Sequence, residues 1–164
     1  MRAQQDIRLL LASRLDAHDA HVGFDRAVAD LPEELRGVVP AGFAHSCWQF
    51  VEHIRRAQAD ILDFCLNAEY AYPTSMEEYW PAVAPTDDAE WQTAIAGFLG
   101  DVGSLKQLAL DEAVDLFAPV PQGKENQTYA RELLLAADHT TYHLGQLVSA
   151  RRALGCWRDA PGWG

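Results

Sequence analysis

Apolar residues recur at three- and four-residue steps in four long stretches, and no stretch alternates with period two, so the pattern predicts an all-α chain. The first stretch, roughly 4–21, puts Ile7, Leu10, Leu11, Leu15 and His18 on one side. A weaker helical stretch follows near Asp25–Leu35 and closes at Gly37, after which Pro40 and Gly42 break the chain. The second long helix starts at Ser46, where Ser46-Cys47-Trp48-Gln49 fits a capping box. Its stripe is Phe50, Ile54, Ala57, Ile61 and Phe64, and Asn67 is its expected end. The third starts near Thr86-Asp87-Asp88, with acids where the helix dipole favours them. Trp91, Ile95, Phe98, Leu99, Val102, Leu105 and Leu108 carry its apolar face. The fourth runs from about Gln127 to Leu154, has Arg151 and Arg152 in its last turns, and stops at Gly155.

Two connections are rich in proline. The loop at 117–126 is marked by Pro119 and Pro121. The segment 68–86 is longer and holds Tyr70, Tyr72, Pro73, Trp80, Pro81 and Pro85. Connections beyond about 12–15 residues are often lids or crossovers. The expectation is a four-helix bundle with a long crossover loop between the second and third helices. The aromatics from Tyr70 to Trp80 either lid a site or cover a bundle end.

The 164 residues fit a single domain over 1–164, with an irregular tail at 156–164. A chain of this length buries about 70% of its unfolded surface, so a core needs no disulfides. The net charge of −11, with only Lys106 and Lys124 as lysines, repels phosphate backbones and anionic lipid. Nucleic acid and membrane are therefore not expected partners. No apolar run is long enough to span a bilayer, and the N-terminal stretch, interrupted by Arg8, Arg14 and Asp16, lacks the pattern of a signal peptide. Cys47, Cys65 and Cys156 are widely separated and form no C-x-x-C. A reducing cytoplasm is the expected compartment.

The strongest chemical signal is His139-Thr140-Thr141-Tyr142-His143. Imidazoles at i and i+4 differ by about 40° around a helix and point the same way. Leu135, Ala136, Leu147 and Ala150 lie on or beside that face, so the pair is directed at the core, where unpartnered polar groups are costly. A metal can supply the partner, although H-x-x-x-H alone is a weak pattern. His53 borders the stripe of the second helix and can point into the same interior; taken alone, it fits a core or boundary histidine hydrogen-bonded to a neighbour better than a ligand. His45 reads as a loop or first-turn residue, and His18 and His21 as histidines at the end of the first helix. H-E-x-x-H, paired E-x-x-H, G-x-S-x-G, a P-loop and G-x-G-x-x-G are all absent. These absences remove zincin, di-iron, serine-hydrolase and nucleotide-binding readings.

The second helix reads Ser46-Cys47-Trp48-Gln49-Phe50-Val51-Glu52-His53. The fourth reads His139-Thr140-Thr141-Tyr142-His143-Leu144-Gly145-Gln146. Joined in this order, W-Q-x-x-x-H and H-x-x-x-H-x-G-Q resemble the DinB/YfiT-like superfamily of four-helix metalloproteins. The likeness extends to the order, spacing and length of the helices. It implies that His53, His139 and His143 bind one divalent metal. It also implies an activity like that of thiol-dependent S-transferases and isomerases that use a low-molecular-weight thiol.

Three neutral imidazoles leave coordination positions open, as a catalytic metal requires. Nitrogen-rich ligation suits Zn or Ni, with Fe as a further candidate. Cys47 lies about 120° around the helix from His53 and is not offered as a ligand. Gln146 and Glu132, three residues after His143 and seven before His139, are candidates to orient an imidazole; Tyr142 either lines the pocket or packs. The leading expectation is a metal-dependent enzyme acting on a small molecule, of S-transferase-like or hydrolase-like type. The alternatives are a non-catalytic, stress-related bundle that binds a metal or small ligand, and an interaction protein that pairs as a homodimer through a helix face.

Overall fold

The structure, a computed structural model, describes residues 2–16, 20–82 and 87–158. Six α-helices account for its regular structure: α1 (Arg2–Arg14), α2 (Phe24–Val28), α3 (Glu33–Arg36), α4 (Cys47–Leu66), α5 (Asp88–Leu110) and α6 (Tyr129–Ala153). A single 3-10 turn, Met76–Tyr79, interrupts the connection between α4 and α5. No strand occurs among the described residues, as the absence of period-two patterning predicts; the nearest feature is one antiparallel bridge between Pro119 and Thr128. No described helix is long and apolar enough to cross a membrane.

The helix ends follow from local chemistry. Ser46 Oγ accepts from Gln49 N at 3.2 Å and Gln49 Oε1 accepts from Ser46 N at 3.0 Å, which is the predicted capping box. Asp87 caps α5 by accepting from Glu90 N at 2.8 Å, and Thr128 caps α6 through Arg131 N. Asn67 closes α4, and Gly155 follows α6 with a φ of +71°, a conformation that favours glycine. Arg8 of α1 donates to the carbonyls of Ala109 (3.1 Å), Asp111 (2.7 Å) and Val114 (2.5 Å), serving the chain where α5 ends and its carbonyls lack helical partners.

Several expectations need correction. The first helix stops at Arg14 rather than near residue 21. Asp16 N turns back to Ser13 O, and the Asp16 carboxylate is drawn away to Lys106 at 2.8 and 2.9 Å. His21 is therefore not a helical residue, and His18 lies outside the described residues. Residues 24–36 form two short helices separated by Asp30, whose φ of +54° no helix accommodates. Leu10 and Leu99, both assigned to apolar faces, are exposed, at the edges of stripes centred on Leu11 and Phe98. Thr86 and most of the tail, 159–164, lie outside the described residues.

α4 packs along both α5 and α6, and α1 lies on α5 and touches α6. One hydrophobic cluster gathers Leu11 and Leu15 from α1, Val51 and Ile54 from α4, Phe98 and Leu105 from α5, and Leu133, Leu144 and Leu147 from α6. Every residue from Cys47 to Ile54 is buried, polar ones included. Such all-round burial requires cover beyond the two long neighbours, and the turn Met76–Tyr79 lies against α4 to supply it.

Candidate metal centre

The helical period of α6 aims His139 and His143 toward α4, where His53 meets them. One nitrogen from each of the three imidazoles lies within 4.8 Å of the other two. The ring centroids are 4.4 Å apart for His53 and His143, 4.5 Å for His139 and His143, and 5.0 Å for His53 and His139. His53 and His143 are buried and His139 is half-buried.

The hydrogen bonds assign the tautomers of two of these rings. His53 Nδ1 is 3.1 Å from Tyr79 O, which can only accept, so Nδ1 carries the hydrogen. His143 Nδ1 is 2.6 Å from Gln146 Oε1, and Gln146 Nε2 is 3.3 Å from Tyr142 Oη, a hydroxyl able to donate or accept. With Oε1 turned to the ring, His143 Nδ1 is also a donor. Both Nε2 atoms are left with lone pairs, and these face one another across 3.1 Å. Burial, and then the positive charge of neighbouring histidines, holds His139 and His143 down at about 4. Burial likewise lowers His53, against the opposing effect of the Tyr79 carbonyl. Near neutrality both rings are uncharged, and with both Nδ1 atoms as donors the 3.1 Å approach brings two lone pairs together.

A cation between the rings would be a common partner for these nitrogens. Two nitrogens sharing a tetrahedral ion at about 2.0–2.1 Å each stand about 3.3 Å apart, close to the spacing seen. The rings are already neutral, so no proton must be displaced for them to bind. The donor set therefore fits a divalent metal ion.

Aromatic rings close one side. Trp80 stacks on His53 with centroids 3.9 Å apart and planes 4° off parallel. His45 stacks on the other face of the same indole at 3.7 Å. Phe50 stands 6.4 Å from His143, and Tyr142 meets His143 edge-on at 4.8 Å. The α6 side is open: Leu135, Asp138, His139, Thr141 and Tyr142 line a shallow cavity of about 390 Å³. Tyr142 is exposed, at its rim.

The structure thus gathers His53, His139 and His143, with Gln146 and Tyr142 attached to His143. Glu132 stands apart. It is buried, its carboxylate is held by Arg131 at 2.7 and 2.9 Å, and it lies about 10 Å along α6 from His139. Cys47 is buried outside this group, and burial pushes its thiol up to about 12, so it offers no thiolate. His45 precedes the cap of α4, as expected of a loop residue. His21 Nδ1 donates to Val22 O at 3.0 Å, and its Nε2 lies 3.3 Å from Thr141 Oγ1.

Two contributors escaped the sequence reading. The Tyr79 acceptor is a backbone carbonyl and leaves no mark in residue type. The stack of His45 on Trp80 joins residues whose sequence separation carries no period. Trp80 itself belongs to the aromatic run singled out as a lid or a cover.

Fold and site together define an all-helical protein with three converging imidazoles able to hold a metal ion. A family profile described as the DinB superfamily matches residues 18–147, most of the chain and all three histidines. The protein belongs to the DinB superfamily. No curated protein and no solved structure matches it.

Proposed function

We propose that the protein is a metal-dependent enzyme in which the Nε2 atoms of His53 and His143, with a nitrogen of His139, hold one divalent cation, Zn or Ni foremost and Fe as a further candidate. The observation that carries this reading is the convergence of three ring nitrogens within 4.8 Å of one another, with the Nε2 atoms of His53 and His143 3.1 Å apart. A cation held by three neutral nitrogens and open on its remaining positions supplies Lewis acidity, which makes a bound water or thiol a stronger acid.

The chain's own residues do the rest. Tyr79 O and Gln146 Oε1 hold the imidazoles in the ligating tautomer. Trp80 and Phe50 keep water from one side, and the opening beside His139 admits a small substrate between Leu135 and Tyr142. Cys47 and Cys65 are buried, and Cys156 lies beyond the end of α6 with its Sγ on Arg151 O, so a nucleophilic sulfur would come from a low-molecular-weight thiol. The reaction class is thiol-dependent group transfer, with hydrolysis by an activated water as the second form of the same chemistry. The four long helices would form a DinB-type bundle in one domain, with the segment after α4 as its crossover.

Metal analysis of the purified protein tests this reading. About one equivalent of metal per chain is expected, lost in His143→Ala. Retention of metal by that variant would sink the site. Turnover of electrophiles with a panel of cellular thiols then separates an enzyme from a bundle that only binds metal.

A further inference from the structure

The side of α4 that carries His53 is taken up by one short piece of chain. Gln49, His53, Arg56 and Asp60 follow one another at steps of four, three and four residues and share that side. Each grips the segment Ser75–Pro81. Gln49 Nε2 donates to Pro81 O at 3.1 Å, His53 Nδ1 to Tyr79 O at 3.1 Å, and Arg56 Nη1 to Glu78 O at 3.0 Å. Asp60 accepts from the Tyr79 hydroxyl at 2.8 Å through Oδ2, and from the Tyr70 hydroxyl at 2.8 Å through Oδ1.

The segment is itself pre-shaped. Ser75 Oγ accepts from Glu77 N at 3.1 Å, and Glu78 Oε1 accepts from Thr74 N at 2.9 Å and Ser75 N at 3.0 Å. It behaves as a braced strap, not a slack loop. Its last turn lays Trp80 flat on His53.

We propose that the Ser75–Pro81 strap is a positioning element of the metal centre, with Asp60 as its anchor. The proposal rests on the reading that the three histidines hold a divalent cation. Asp60 fixes the Tyr79 side chain, and the same residue's carbonyl meets His53 Nδ1. The carboxylate thereby acts, through one residue of the strap, on which nitrogen of His53 keeps its lone pair. A strap released from Asp60 leaves His53 free to carry its hydrogen on Nε2 and to turn out of register. Linkage makes the effect mutual: whatever factor strap docking adds to cation affinity, cation binding adds to docking.

The test is titration of the full chain with Co(II) alone, following affinity and the visible spectrum, in wild type, Asp60→Ala, Asp60→Asn, Tyr79→Phe and Tyr70→Phe. Asp60→Ala and Tyr79→Phe are expected to weaken Co(II) binding by about tenfold or more and to alter its spectrum, as loss of an outer partner does at metal-bound histidines. Asp60→Asn, which keeps an acceptor for one phenol, should recover most of the loss. Tyr70→Phe leaves the Tyr79 link intact and should leave affinity within about threefold and the spectrum unchanged. Amide exchange across 75–81 should slow on adding Co(II) to wild type. Unchanged affinity in Tyr79→Phe, or an equal loss in Tyr70→Phe, overturns the strap's role while the site stands. Failure of wild type to bind Co(II) overturns the site and the proposal with it. Should Asp60→Ala not fold, Tyr79→Phe decides.

Discussion

Replacing Gln146 by Leu removes the acceptor of His143 Nδ1, 2.6 Å away, together with the donor to Tyr142, and leaves the helix otherwise intact. Two separate effects are expected. In the metal-free protein, a buried N–H loses its partner, which costs about 1–3 kcal/mol when no replacement exists. Gln146 is half-buried, so water can take part of its place, and about 1 kcal/mol is the expected loss by urea denaturation. For the metal, His143 no longer has a reason to keep its hydrogen on Nδ1. Loss of such a partner typically weakens metal binding 10–100-fold, and the access of water argues for the lower end, about tenfold or 1.4 kcal/mol. Competition for Zn(II) against a chromophoric chelator reads this directly. Gln146→Glu keeps an acceptor and adds charge, so it should bind Zn(II) at least as tightly as wild type. Equal Zn(II) affinity in wild type and Gln146→Leu would refute the tautomer assignment, and with it the argument that two lone pairs face each other.

Other outcomes follow from features away from the site. Arg8→Met strips three donors from carbonyls at and just after the end of α5 and should lower stability by about 2 kcal/mol in urea, with no change in metal content. Phe98→Ala empties a fully buried position stacked on Phe24 and should cost about 3–5 kcal/mol by the same measurement; a loss below about 1 kcal/mol would contradict the packing. Burial pushes Cys47 and Cys65 up to about 12, so iodoacetamide at pH 8 should leave both intact in the native protein and label both in urea. Burial, and then the Asp60 carboxylate, raises the phenols of Tyr70 and Tyr79 above their ordinary value. A folded-state value above the unfolded one gives stability that is complete below about pH 10 and fades as pH rises through the folded value. Absorbance titration at alkaline pH should show two late-ionising tyrosines in wild type that shift downward in Asp60→Ala.

The three-histidine cluster shows why burial alone is an incomplete description of α4. Gln49, Glu52, His53 and Gln58 are all buried, and each polar group needs a partner. Glu52 finds its own in Arg55 and Arg56, which outweigh the cost of burial and hold its carboxyl below the usual range. Gln49 and His53 find theirs in the strap. Gln49, Glu52 and His53 are thus each matched, while the Nε2 atoms of His53 and His143 are left to face one another.

Local rules in the chain determined the elements and their ends. Ser46 and Gln49 close a capping box, Asp87 and Thr128 cap the next two long helices, and Gly155 follows the last, because each uses atoms only a few residues apart. The four-residue step between His139 and His143 likewise sets them on one side of α6 whatever packs against it. Tertiary structure decided what periodicity does not encode. It chose which stripe edges face solvent, leaving Leu10 and Leu99 exposed, and ended α1 at Arg14 while Asp16 engaged Lys106 from α5. It brought His53 across 90 residues to within 3.1 Å of His143, and it placed a backbone carbonyl of Tyr79 behind His53. Such meetings depend on how helices and connections settle against one another, and a carbonyl looks the same in every residue.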